Sequence, residues 1–167
     1  MVTDKARAYI ALGANLGDPP AQLNAALHSL RGSPGVEVVA TSSFYRTAPL
    51  GQPGQADYCN AVCAVDTTLQ PEALLDLLQG IETAAGRRRD GTHWGSRLLD
   101  LDLLHMEGRV SQTPRLTLPH PELQRRAFVL VPLAEIAPDL LIPGLGTVQN
   151  LTAAIDRSGV MPGFESP

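Results

Sequence analysis

The first apolar run, Ala8–Leu12, ends at Gly13 and predicts a short buried strand. Asp18 followed by Pro19 predicts a helix N-cap with proline in the first helical position, where its missing N–H costs nothing. Leu23, Ala26, Leu27 and Leu30 then recur at helical spacing, and Gly32 stops the helix. From Val36 to about Arg46, β-branched and aromatic residues predict a second strand. The stretch Pro49–Gln55 (PLGQPGQ) reads as a loop, and Tyr58–Thr67 as a third strand. Pro71 opens a second helix with Leu74, Leu75, Leu78 and Ile81 on its apolar stripe, ending near Gly86. An arginine-rich loop from Arg87 to about Ser96 precedes a fourth strand, Leu98–Met106. The order β-α-β-β-α-β is that of ferredoxin-like folds. It predicts an α+β domain whose sheet is mainly antiparallel, with both helices on one face.

The remainder reads as an extension of that core. Leu116–His120 predicts an edge strand, Phe128–Ala137 a short helix containing Pro132, and Thr147–Asp156 a last helix. The tail MPGFESP, from Met161, reads as frayed. With 167 residues and no repeats, residues 1–167 are expected to form a single domain.

Composition narrows the function. An apolar share of 44% supports a real core, and a net charge of −4 argues against a general nucleic-acid binder. No run reaches the ~18–20 apolar residues that a membrane span needs. Neither a signal-type apolar stretch nor a cleavage site opens the sequence, so a soluble, cytoplasmic protein is expected. Cys59 and Cys63, four apart on a strand, would lie roughly 13 Å from one another, too far for a disulfide, and read as two reduced core thiols. The basic residues are 12 Arg and one Lys, Lys5, ahead of the first core segment. That excludes a Schiff-base or phosphate-loop lysine.

The chemistry concentrates in HWGSRLLDLDLLHMEG, His93–Gly108. Strand side chains alternate, so Asp100 and Asp102 share one face while Leu99, Leu101 and Leu103 point into the core. Paired carboxylates beside an apolar face repel one another, and a hard divalent cation relieves this; the alternative is an acidic solvent face. Arg87, Arg88, Arg89 and Arg97 lie just upstream and suit phosphate oxygens, or else form a solvated charged loop. Tyr58 and Asn60 share a strand face, a ring beside a bifunctional amide, which suits a flat heterocycle. His120 stands between two prolines, with Arg126 and Phe128 soon after. The glycines of GANLGD (Gly13–Asp18) read as a tight turn and cap, because the segment is too short for a phosphate-binding loop.

Together, ALGANLGD, SSFYRTAPLG, DYCNAV, HWGSRLLDLDLL and LPHPELQRRAF resemble the 6-hydroxymethyl-7,8-dihydropterin pyrophosphokinases, in order and spacing, from about Tyr9 to Pro143. The resemblance implies transfer of diphosphate from ATP to the pterin hydroxymethyl group, releasing AMP, in folate biosynthesis. It further implies a monomer using two Mg²⁺ ions and ATP as co-substrate, with small-molecule substrates and neither nucleic acid nor membrane as partner. By this likeness Asp100 and Asp102 hold metal and, with Arg87 and Arg97, carry catalysis. Tyr58 and Phe128 sandwich the pterin, Asn60 reads its edge, and Thr47, Ala48, Leu50 and Trp94 complete that site. Gln79, Glu82, Arg87, Arg89, Trp94, Arg97, Leu103, Arg115, Thr117, His120 and Arg126 match the ATP site. Ala48, Ser96 and Pro121 depart from the family pattern without removing an implied ligand. Two other readings stand beside it: another Mg-dependent kinase or nucleotidyltransferase, and a non-catalytic ferredoxin-like binding domain.

Overall fold

The computed structural model describes residues 5–48, 57–86 and 99–164. In chain order these form β1 (Ala6–Ala14), α1 (Pro19–Arg31), β2 (Val36–Thr41), β3 (Tyr45–Thr47), β4 (Tyr58–Thr67), α2 (Pro71–Ala84) and β5 (Asp100–Met106). Beyond these lie β6 (Ser111–Gln112), β7 (Thr117–Leu118), a 3-10 turn (Leu123–Arg125), α3 (Ala127–Ile136), β8 (Leu141–Ile142), β9 (Gly146–Thr147), α4 (Val148–Ala153) and β10 (Val160–Pro162).

The main sheet runs β10-β3-β4-β1-β5, with β2 also pairing with β4, and every pairing is antiparallel. The fold is the expected α+β, ferredoxin-like one. Local chemistry sets the helix starts: the Asp18 carboxylate accepts the Ala21 N–H at 3.2 Å, and Pro71 opens α2.

Strand alternation then distributes the chain between two cores. Ile10, Leu12, Cys59, Cys63, Leu101 and Leu103 pack beneath α1 and α2. Tyr9, Val62, Ala64 and Leu104 pack on the opposite face against Val129, Leu130 and Leu133 of α3, so the sheet lies between two helical layers. A bulge makes this switch within β5: Tyr9 pairs with His105 but Ile10 pairs with Leu103. Leu104 is the extra residue and joins the α3 core, while Leu103 stays in the α1–α2 core. Both cysteines carry free thiols. Burial pushes each thiol up to about 12, so neither is a thiolate at neutral pH.

Three expectations need correction. The strand expected from Val36 to Arg46 breaks between Thr41 and Tyr45, where Ser42 turns its N–H onto the Val62 carbonyl at 2.9 Å. The edge strand expected at Leu116–His120 is β7 instead, paired with β6 in a separate two-stranded hairpin. The tail is ordered through Pro162, because β10 pairs with β3 and Gly163 donates its N–H to the Phe44 carbonyl at 2.9 Å. The expected loops at 49–55 and 87–96, and the strand start at Leu98, lie outside the described residues.

Candidate active site

Strand register gathers the polar side chains of the sheet into one row. Gly13 pairs with Asn60 on one side and Asp100 on the other, and Asn60 pairs onward with Tyr45. One step away, Ala11 lies between Val62 and Asp102. Cys59, Ala61, Leu101 and Leu103 fill the α1–α2 core, so Tyr58, Asn60, Asp100 and Asp102 project to the α3 side. The two aspartates therefore stand two strand spacings, about 10 Å, from Asn60.

Above this row stands the start of α3. A cleft of about 730 Å³ opens between them, lined by Gly13, Thr47, Ala48, Tyr58, Asn60, Asp100 and Asp102 on the sheet side and by Arg126 and Phe128 from α3. That volume suits a small organic substrate.

Each wall is braced. The Asn60 amide donates to the Thr47 hydroxyl at 2.5 Å, and both residues are buried. A Cβ at Gly13 would lie 3.1 Å from Asn60 Oδ1, so glycine leaves the floor open where the amide needs room. On the opposite wall, Glu135 of α3 accepts from the Ser43 N–H at 2.9 Å, from the Ser43 hydroxyl at 3.1 Å and from the Tyr45 hydroxyl at 2.5 Å. These bonds fix α3, and Phe128 with it, against the segment leading into β3. Burial and the Glu135 carboxylate together push the Tyr45 hydroxyl up to about 12.

The charged end is built around Asp102. Its carboxylate lies 3.8 Å from Arg126, whose guanidinium sits 5.8 Å from the centre of the Phe128 ring. His120 is anchored by its backbone N–H to the Leu104 carbonyl at 2.7 Å, and its Nδ1 accepts the Glu122 N–H at 3.0 Å. The neutral ring therefore carries its proton on Nε2. Burial holds His120 below the usual imidazole range against the pull of Asp102, and Arg126 adds to the lowering. Among the described residues no set of three or more His, Cys, Asp or Glu side chains comes together as a metal cage. Asp100 and Asp102 offer two carboxylates on one face of the cleft, a donor set that fits a Mg²⁺ ion keeping waters and substrate phosphates.

The expected residues divide into three groups. Thr47, Ala48, Tyr58, Asn60, Asp100, Asp102, Arg126 and Phe128 line the cleft. Glu82, Gln79, Leu103, Arg115, Thr117 and His120 do not line it. Buried Glu82 accepts the Leu101 N–H at 2.8 Å, and Leu103 is 3% exposed in the other core. Arg115 is paired with Asp76 and reaches Gln79 at 3.3 Å on the outside of α2, with Thr117 exposed on the neighbouring hairpin. Leu50, Arg87, Arg89, Trp94 and Arg97 lie outside the described residues. Sequence reasoning missed Gly13 as floor, Glu135 as brace, and Ile155, Asp156, Ser158, Gly159 and Val160 as lining. A glycine inside an apolar strand was the one available signal, since it marks close approach of a ligand.

Known proteins resemble this chain in sequence and in fold. The family described as 7,8-dihydro-6-hydroxymethylpterin-pyrophosphokinase (HPPK) matches residues 9–138. The 2-amino-4-hydroxy-6-hydroxymethyldihydropteridine pyrophosphokinase of Methylorubrum extorquens is 49% identical over 154 residues, covering 92% of this chain and 96% of its own. The protein of the same name from Haemophilus influenzae is 48% identical over 144 residues, 86% of this chain and 89% of its own. The crystal structure of Plasmodium falciparum HPPK-DHPS with pteroate superimposes over 92% of this chain with a TM-score of 0.73, at 13% identity. This chain spans 43% of that one, and the likeness speaks to the fold.

Proposed function

The chain belongs to the 7,8-dihydro-6-hydroxymethylpterin pyrophosphokinase family, and we propose that its cleft holds the pterin at one end and the ATP phosphates at the other. It is an enzyme of folate biosynthesis that transfers diphosphate from its co-substrate ATP to 6-hydroxymethyl-7,8-dihydropterin. The observation that carries the placement is the single row of Asn60, Gly13 and Asp100, with Asp102 one step away and Phe128 opposite.

In this reading Tyr58 and Phe128 stack on the pterin from the two walls. Asn60, steadied by Thr47, hydrogen-bonds its amide-like edge, and Ala48 lies beside it. Asp100 and Asp102 hold two Mg²⁺ ions, which when bound neutralise phosphate charge and polarise the transferred group. Arg126 and His120 contact phosphate oxygens, with Arg87, Arg89 and Arg97 joining them; Gln79, Glu82, Leu103, Arg115 and Thr117 border the nucleotide, and Trp94 and Leu50 complete the pterin end.

The hydroxymethyl oxygen attacks the β-phosphorus. The bond from that phosphorus to the α–β bridging oxygen breaks, AMP leaves with its electron pair, and the hydroxyl proton passes to solvent water. Such a transfer needs alignment and charge neutralisation more than covalent help, and a stacked ring with a fixed amide supplies the alignment. Action as a monomer is part of the same proposal. No helix among the described residues is long and apolar enough to cross a membrane; the use of ATP supports a cytoplasmic location. Incubation with the reduced pterin and Mg-ATP should release AMP, and a chelator should stop it. ADP or free pyrophosphate as the product would refute the assignment.

A further inference from the structure

The cleft has an end that lies away from Asp100, Asp102 and Arg126. Across the sheet the strands run from β5, which carries Asp100 and Asp102, through β1 and β4 to β3 and then β10. Strands stand about 4.8 Å apart, so β10 lies roughly 19 Å from the metal-binding end. At that far end the lining comes from Ile155, Asp156, Ser158, Gly159 and Val160, between α4 and β10.

This segment is held at both ends and within. At one end Ile155 packs against the core that holds Val129, Leu130 and Leu133 of α3, and at the other Val160 pairs with Thr47 in β3. Between them the Asp156 carboxylate accepts the Ser158 N–H at 2.9 Å, and Val160 donates to the Arg157 carbonyl at 3.1 Å. A turn fixed in this way is a rigid surface rather than a loose lid.

Resting on the placement proposed above, the direction of the substrate follows. The pterin's 6-hydroxymethyl group must face the phosphates near β5. Carbon 2 and its amino group lie at the opposite end of the long axis of the bicycle, so they point toward β3 and β10. We infer that Ile155–Val160 is the end wall of the pterin site and sets the length of heterocycle accepted, excluding substituents on the 2-amino group.

Two variants test this from opposite sides. A chain ending at Ala154 removes Ile155–Val160 together with β10 and opens the wall. Gly159→Leu fills it, at a position where an added Cβ meets no atom within 4 Å. AMP release is measured with 6-hydroxymethyl-7,8-dihydropterin and with its N2-ethyl analogue, alongside calorimetric affinity for Mg-α,β-methylene ATP. The wild type should prefer the parent pterin, and the shortened chain should narrow that preference in kcat/KM at least tenfold. Gly159→Leu should raise KM for the parent several-fold while nucleotide affinity stays within twofold. An unchanged preference in the shortened chain overturns the wall. If thermal melting shows that chain to be unfolded, an unchanged parent KM in Gly159→Leu overturns it instead. No AMP from the wild type with the parent pterin would overturn the cleft reading, and the wall with it.

Discussion

Gly13→Ala separates pterin recognition from both stability and nucleotide binding. The added methyl would sit 3.1 Å from Asn60 Oδ1, where ordinary contact begins at 3.4 Å, so the amide must retreat by a few tenths of an ångström. It has little room to do so, because its Nδ2 is already 2.5 Å from the Thr47 hydroxyl. Bending or losing one hydrogen bond between Asn60 and the pterin edge costs about 1–1.4 kcal/mol. That corresponds to roughly five- to tenfold weaker pterin binding. Folding changes in the other direction, since replacing glycine restricts the unfolded chain and contributes about 0.4–1 kcal/mol. Crowding of the Asn60–Thr47 pair by the added methyl opposes that gain, so Tm stays unchanged within a few degrees. Calorimetric titration of the pterin against the protein saturated with Mg-α,β-methylene ATP gives the affinity, and a thermal melt gives the stability. Unchanged pterin affinity, or an equal loss of nucleotide affinity, would refute the placement of Asn60 on the pterin edge.

Asp100→Ala and Asp102→Ala should each lower kcat by on the order of 10²–10³ with the far-UV circular dichroism unaltered; near-normal turnover at millimolar Mg²⁺ would remove the metal assignment. Tyr58→Ala or Phe128→Ala forfeits a stacking face worth about 1–3 kcal/mol. Pterin binding should therefore weaken roughly 10–100-fold and ATP binding far less, as measured by parallel titrations. His105 is buried and stacked on Tyr9, and desolvation holds its imidazole below the ordinary 6.5 while Glu107 pulls weakly the other way. The unfolded chain thus takes up a proton near pH 6.5 that the folded chain accepts only at lower pH. Stability is full above that value and lost as pH falls below it. The urea midpoint should drop from pH 7 to pH 5, and drop less in His105→Gln; equal drops would refute the role of His105.

The framework was legible because its signals are local. Asp18–Pro19 caps α1 and Pro71 opens α2 through chemistry contained within a few residues. Strict alternation likewise put Asp100 and Asp102 on one face and Leu101 and Leu103 on the other. What failed to show was set by distant partners. Met161–Gly163 carries a proline and a glycine and has no period, so only its pairing with β3 makes it ordered. Gly13 reads as turn material until register places it between Asn60 and Asp100. Nothing in its own neighbourhood marks Glu135, whose partners Ser43 and Tyr45 lie about ninety residues earlier. The β5 bulge, which divides Leu103 from Leu104, is equally invisible in a run of leucines.

The hydrogen bond from Leu101 to Glu82 bears on how the protein behaves among its own copies. Among the described residues the strand carrying both aspartates is the last in the sheet, and outward backbone N–H and C=O groups on such an edge invite another strand to add on. Glu82 occupies one of those N–H groups with a buried carboxylate from α2, placing charge and a covering helix at the point where a foreign strand would dock. Replacing it by alanine would uncover that edge as well as loosen the strand that holds Asp100 and Asp102. Loss of activity in such a variant therefore has two sources, aggregation and altered chemistry, which sedimentation at several protein concentrations tells apart.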